Sequence, residues 1–124
     1  MIKRTQDYRI VNRLKGNWRV VVSSEFFYLV ETNAKGEALG LWSLHRHRDG
    51  VMIHADMGPK CRGRKAIDSA KSAFKWIFRN TNFRKIYAGI PKENKPAQRV
   101  ASLAGMRFTG CDKNLRNFEL QSGW

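Results

Sequence analysis

The sequence contains no long apolar run, and it has few cysteines and few acidic residues. No stretch of about 18 consecutive apolar residues occurs in the 124 residues, which excludes an ordinary transmembrane helix. Residues 1–7 lack the apolar core of a signal peptide, so we expect a cytosolic protein. Cys61 and Cys111 lie far apart and match no metal-binding or redox spacing, so they predict two free thiols. The length predicts one domain, residues 1–124.

Basic residues greatly outnumber acidic ones. The chain has 24 Lys and Arg against 10 Asp and Glu, a net charge of +14. Such an excess predicts an anionic partner: nucleic acid, an acidic protein surface or a phosphate-rich cofactor. A solubilising surface charge is the alternative, but the charge is uneven, since more than half of the net charge lies in residues 60–85. There only Asp68 opposes the basic residues Lys60, Arg62, Arg64, Lys65, Lys71, Lys75, Arg79, Arg84 and Lys85.

Hydrophobic periodicity predicts strands first, then helix, strand, helix and strands, which is an α+β order. Within residues 1–16, the apolar positions Tyr8, Ile10, Val11 and Leu14 suit a short helix. Asn94 is placed to cap the second major helix and Gly105 to close it. The predicted strands are Trp18–Val22, Phe26–Glu31, Ala38–His47, Val51–Met57, Lys85–Ile90, Phe108–Gly110 and Phe118–Leu120, and the major helices are Ala66–Asn80 and Lys95–Ala104.

The stretch from Gly58 to Ala66 lies between a predicted strand and a predicted helix. A helix start presents unpaired backbone N–H groups and the positive end of the helix dipole, so it binds anions and phosphates readily. Arg62, Arg64 and Lys65 add positive charge there, and Gly63 permits close approach of the backbone. The pattern favours a phosphate site; a merely structural basic turn is the alternative.

Three segments together resemble the GNAT family of acetyl-CoA-dependent N-acetyltransferases. Residues 59–64 resemble its P-x-x-R-G-x segment, residues 90–97 its strand followed by Asn-x-x-Ala, and residues 103–108 its L-x-G-F ending. The resemblance is closest to short GNAT-like proteins of tailed phages, because an R-G-R segment precedes an Ala-rich helix ending in Trp76-x-Phe78. It implies a mixed, mostly antiparallel sheet flanked by helices and splayed between the fourth and fifth strands, with acetyl-CoA in the gap.

The resemblance also implies which residues bind the cofactor, and the sequence departs from the family pattern at some positions. The implied contacts to acetyl-CoA are Met57, Gly58, Arg62, Gly63, Arg64, Lys65, Ala66 and Asn94. Where the family has small residues that close on the pyrophosphate, this chain has Lys65 and Ile67, and Ile67 is expected to crowd it. Where the family often has a Tyr that protonates the leaving thiolate, this chain has Ala101, which has no proton to donate.

Two functions therefore stay open. In the first, an N-acetyltransferase moves acetyl from acetyl-CoA to an amine, with His54 and Asp56 as the catalytic candidates because they share one face of a strand with Met52; a structural role for His54 is the alternative. His45, His47 and His54 are too weakly patterned to predict a metal site. In the second, a catalytically degenerate phage protein serves head or virion assembly or DNA delivery. Its basic face, Lys71, Lys75 and Arg79, would bind DNA or an acidic virion protein, in the host bacterial cytosol or the virion.

Overall fold

The computed structural model describes residues 1–14 and 26–123, leaving aside the side chains of Tyr8, Asn12 and Leu14. Seven strands and three helices follow one another in the described residues. They are β1 (Ile2–Thr5), α1 (Tyr8–Leu14), β2 (Phe26–Thr32), β3 (Ala38–His47), β4 (Gly50–Met57), α2 (Arg64–Asn80), β5 (Lys85–Pro91), α3 (Lys95–Leu103), β6 (Arg107–Asp112) and β7 (Leu115–Gln121). None of these helices is both long and apolar enough to span a membrane.

The strands form one sheet in the order β1-β2-β3-β4-β5-β7-β6. Every neighbouring pair is antiparallel except β4 and β5, which run parallel. That parallel pair is paired at two positions alone, Val51 with Ile86 and Met52 with Tyr87. Beyond Met52 the two strands diverge, so the predicted splay between the strand ending at Met57 and the strand starting at Lys85 is confirmed.

The two faces of the sheet are covered differently. The larger core lies under α2 and α3, where Ala70, Ala73, Phe74 and Ile77 of α2 pack with Ala101 of α3 and its C-cap residue Ala104 against buried side chains of the central strands. A smaller cluster on the other face joins Val11 of α1 to Tyr28 and Leu41. Small residues at the contact positions of α2 let the helix lie close to the sheet, which is why its buried stripe is rich in alanine.

The predicted element order holds for the described residues, and three differences from the prediction exceed one residue. β1 was not predicted; it is a four-residue edge strand paired with β2, and its three consecutive polar residues after Ile2 carry little strand signal. The helix predicted from Ala66 begins at Arg64, because Gly63 makes the turn with a φ of 58°. β6 and β7 are longer than predicted, at six and seven residues. The predicted strand Trp18–Val22 lies outside the described residues.

Candidate functional site

The divergence of β4 and β5 opens a cleft on the face of the sheet that carries α2 and α3. Its volume is about 320 Å³. The cleft lies between β4 and β5. The start of α2 closes one side of it, and the first turns of α3 close the other. The walls are largely apolar, formed by Trp42, Ile53, Ala55, Phe74, Ala88, Ile90, Val100, Ala101 and Met106.

The register of β3 and β4 determines which backbone groups face the gap. Residues opposite one another in an antiparallel pair alternate between bonded and non-bonded positions. Gly58 N–H donates to Leu39 O at 2.9 Å, so Asp56 and His54 are the bonded positions further back along β4. The backbone N–H groups of Ala55 and Met57 therefore point away from β3 and into the gap. A splayed strand thus supplies two directed donors at the floor of an apolar cleft.

The start of α2 forms the polar end of the cleft. Gly63 is its N-cap, with φ 58° and ψ −126°, and it offers no side chain to satisfy the first N–H groups. No described atom accepts a hydrogen bond from the N–H of Gly63 or Arg64. The exposed Arg62 lines the cleft directly beside them. Unpaired N–H groups, the helix dipole and a guanidinium together make this end of the cleft suited to an anion.

Five of the eight predicted cofactor residues line this cleft, and three do not. The five are Met57, Arg62, Gly63, Ala66 and Asn94. Gly58 is absent from the lining because its N–H bonds to β3 and its Cα lies against Leu39 O, 2.8 Å from where a Cβ would be. Arg64 and Lys65 are exposed in the first turn of α2 outside the lining.

Ile67 does not reach the cleft lining. Its side chain is half-buried and packs against the main core, while Ala66 occupies the cleft wall. The expected crowding by Ile67 is therefore not seen in the structure. Ala66 is small enough to leave the passage beside the helix start open.

Asn94 is fixed by a structural role. Its side-chain oxygen accepts a hydrogen bond from Ala97 N–H at 3.3 Å, which caps α3 as the sequence predicted. The capped first turn brings Pro96 and Ala97 to the cleft wall. Ala101, one turn further on, is buried and lines the cleft with a methyl group.

His54 lines the cleft from β4, and Asp56 does not. The exposed His54 stacks on His45 of β3, with ring centroids 5.6 Å apart and an interplanar angle of 12°. Burial, aided by the nearby charge of His47, lowers the pKa of His45, which favours its uncharged ring. Asp56 is half-buried opposite Leu41.

The three histidines do not converge on one point. The His47 ring packs edge-on against Tyr87 at 5.3 Å, not against the His45–His54 stack. In residues 1–14 and 26–123, no three metal-ligating side chains form a group that would hold an ion.

Two features of the cleft wall were missed by sequence reasoning. Trp42 Nε1–H donates to Ser69 Oγ at 3.0 Å, which ties β3 to α2 through a buried hydrogen bond. Cys61 is buried in the same wall, and burial, followed by the charge of Glu31, raises the pKa of its thiol. Both cysteines are free thiols, as predicted. Nothing in the periodicity pairs residue 42 with residue 69, so only the fold reveals this contact.

Comparisons with known proteins agree with this geometry. A family model described as the acetyltransferase (GNAT) domain matches residues 4–107. No curated protein matches the chain in sequence. Among solved structures, a mutant of the spermidine N-acetyltransferase SpeG from Vibrio cholerae superposes with a TM-score of 0.80 at 15% identity, covering 98% of this chain and 92% of that one. The ribosomal-protein-S5-alanine acetyltransferase from Vibrio fischeri gives a TM-score of 0.68 at 15% identity, covering 80% of this chain and 63% of that one.

Proposed function

The chain belongs to the GNAT acetyltransferase domain family, and from this premise we propose that it binds acetyl-CoA in the β4–β5 cleft and transfers the acetyl group to an amine. The observation that carries the proposal is the cleft itself. It combines a helix start suited to an anion, an apolar passage and two backbone donors, which are the groups that an elongated thioester with a pyrophosphate at one end requires.

The residues present fit the cofactor at both ends. Arg62 and the unpaired N–H groups of Gly63 and Arg64 would hold the pyrophosphate, and the apolar walls would hold the uncharged arm. When bound, acetyl-CoA supplies an activated acyl group. The N–H groups of Ala55 and Met57 would stabilise negative charge developing on the carbonyl oxygen, as oxyanion donors do in acyl transfer.

His54 is the candidate for proton removal from the acceptor amine. It lies on the strand that carries the two donors, and it is exposed enough to be reached by a substrate. The lowered pKa of its stacking partner His45 favours an uncharged neighbour, which would reduce repulsion of the positive charge that His54 would acquire. Ala101 leaves the position of the family's common proton donor without a donor, so solvent would protonate the leaving thiolate. We retain Asp56 as a second-rank candidate beside His54, on the same strand face.

The acceptor is proposed only as an amine. SpeG is named for spermidine and the Vibrio fischeri enzyme for the alanine of a ribosomal protein, which shows two different amine classes on one fold. At 15% identity these neighbours share the fold, and fold does not determine substrate. Resemblance to tailed-phage proteins and a role in virion assembly or DNA delivery stay predictions.

The proposal is tested by calorimetric titration with acetyl-CoA, using two variants with the same chemical change. Arg62→Glu sets a negative charge against the pyrophosphate and should abolish measurable binding. Arg79→Glu lies at the other end of the same helix, about 22 Å from Arg64 at a rise of about 1.5 Å per residue, and should keep most of the affinity. Equal loss in both variants, or none in Arg62→Glu, would refute the placement.

Catalysis is measured separately, as the release of free thiol from acetyl-CoA. Spermidine and a peptide with an N-terminal alanine serve as probe acceptors. His54→Asn should bind acetyl-CoA like the wild type and release thiol about 100-fold more slowly, the usual contribution of a general base. Binding without thiol release by the wild type would refute the transfer and leave the cofactor site standing.

A further inference from the structure

Three basic side chains form a row along the solvent face of α2. Lys71, Lys75 and Arg79 are all exposed, and they recur every fourth residue, so successive charges lie about 6 Å apart along the helix axis. No carboxylate of the described residues lies within ion-pair distance of any of them. We call these three residues the α2 row.

The structure separates the α2 row from other basic residues of the 60–85 cluster. The Arg84 guanidinium donates to three carbonyl oxygens, those of Phe78, Thr81 and Phe83, and so caps the end of α2. Lys85 pairs with Asp49 at 3.0 Å. The charges of Arg84 and Lys85 therefore already make contacts within the fold. Among the described residues, the α2 row has no comparable contacts.

The row lacks an aromatic surface beside it. Trp76 and Phe78 of α2 are half-buried against the main core, and Arg46 covers the ring of Phe83 at 5.4 Å. The large apolar side chains exposed in the described part of the chain are Met1, Leu103, Phe108 and Leu115, none of them on α2. Proteins that bind single strands stack bases on exposed aromatic rings, so this surface suits the phosphates of a stacked duplex instead.

We propose that the α2 row binds the phosphate backbone of double-stranded nucleic acid without reading its sequence. The row supplies regularly spaced cations on a rigid helix, and binding requires no refolding because none of the three side chains belongs to the core. The excess of positive charge over the whole chain, +14, favours approach of a polyanion to this face. This function is separate from acetyl transfer, whose proposed anion site lies at the start of the same helix, whereas the row runs from the middle of the helix toward its end.

The first test compares two triple variants by fluorescence anisotropy with a random-sequence duplex of DNA. Changing Lys71, Lys75 and Arg79 to Glu lowers the net charge from +14 to +8, since each change removes two charges. Changing the exposed Lys35, Lys92 and Arg99 to Glu lowers it equally and serves as the matched control. Losing three phosphate contacts should reduce the log–log salt slope by about 2.7, at about 0.9 for each contact, and this separates the row variant from wild type and control.

The second test is a gain of affinity, which misfolding does not imitate. Asp68 is the single acidic residue of α2 and is exposed one turn before Lys71. Asp68→Asn should tighten duplex binding several-fold at about 50 mM salt, because it removes a charge that repels phosphate.

Four results would overturn the proposal. They are no duplex binding by the wild type at about 50 mM salt, equal weakening in the two triple variants, tighter binding of single strands than of duplex, and equally tight binding of polyglutamate. Acetyl-CoA affinity measured on the same row variant should stay near that of the wild type, so the two proposals fail independently.

Discussion

The two ends of β4 behave differently although one strand joins them. At its start, Val51 and Met52 pair with β5, and at its end Ala55 and Met57 stand apart from β5 and line a cleft. Both ends remain paired with β3. The contrast shows that the cleft is produced by β5 turning away from a continuous strand, not by a break in β4.

The start of β4 is held by contacts that its end lacks. Tyr87 O–H donates to Asp49 in the turn before β4, and Lys85 pairs with the same carboxylate at 3.0 Å. Gly50 packs against the backbone of Lys85 so closely that a Cβ there would lie 2.3 Å from its carbonyl oxygen. These contacts fix the point from which the strands diverge, and therefore the width of the cleft beyond it.

Of the variants that test the contrast between the two ends of β4, Gly50→Ala should have the largest effect. The added methyl group would overlap the backbone carbonyl of Lys85, so the backbone at the joined end must shift to admit it. We expect a loss of about 3 kcal/mol in the free energy of unfolding, measured by urea denaturation. The control is Gly89→Ala at the divergent end, where the nearest atom would be 3.4 Å away and the loss should stay below about 1 kcal/mol. Similar losses in both variants would contradict the contrast.

A second effect should appear in amide hydrogen exchange along β4. The N–H groups of His54 and Asp56 bond to β3, whereas those of Ala55 and Met57 face the cleft. We expect Ala55 and Met57 to exchange at least about tenfold faster than their neighbours, measured by NMR, and to slow when acetyl-CoA is added. Uniform protection from His54 to Met57 would show that the cleft is closed in solution.

The smallest effect should be on the pH dependence of stability. The hydrogen bond from Tyr87, followed by that from Lys85, lowers the pKa of Asp49 to about 2. Because the folded-state pKa is depressed, this stabilisation is present above the ordinary value of 3.8 and is lost as pH falls through about 2.

Asp49→Asn should therefore flatten the decline of the melting temperature between about pH 4 and pH 2. Asp68→Asn, which removes an exposed carboxylate of α2, is the control and should keep the wild-type decline. An unchanged slope in Asp49→Asn would mean that the contact to Tyr87 does not persist in solution.

Local signals in the sequence predicted most of the elements around the cleft. The change of apolar spacing from Ala66 located α2 to within two residues, and Asn94 with Gly105 located both ends of α3, because caps and periodicity depend on near neighbours alone. The basic turn at Gly63 likewise predicted the junction of β4 and α2, where Arg62 and Gly63 line the cleft. The splay came from the family resemblance, since no local pattern specifies where two parallel strands part.

The features that the sequence did not predict depend on contacts between residues far apart in the chain. β1 is a strand because it pairs with β2 some 25 residues later, between Ile2 and Glu31 at one end and Thr5 and Tyr28 at the other. The absence of Arg64 and Lys65 from the cleft lining depends on the direction of the first turn of α2, which Gly63 sets with a positive φ. Neither the direction nor the pairing follows from residue type.

The hydrogen bond between Trp42 and Ser69 has a spectroscopic consequence. Its indole is only 5% exposed yet forms part of the cleft wall, so its fluorescence responds to whatever displaces solvent there. The sequence has four tryptophans, so the signal of this indole is isolated in a variant that keeps Trp42 alone. There, a ligand that enters the apolar passage should shift the emission to shorter wavelength, whereas a polyanion bound along the outer face of α2 should leave it unchanged. Trp42 is thus an optical probe that distinguishes filling of the interior from occupation of the surface.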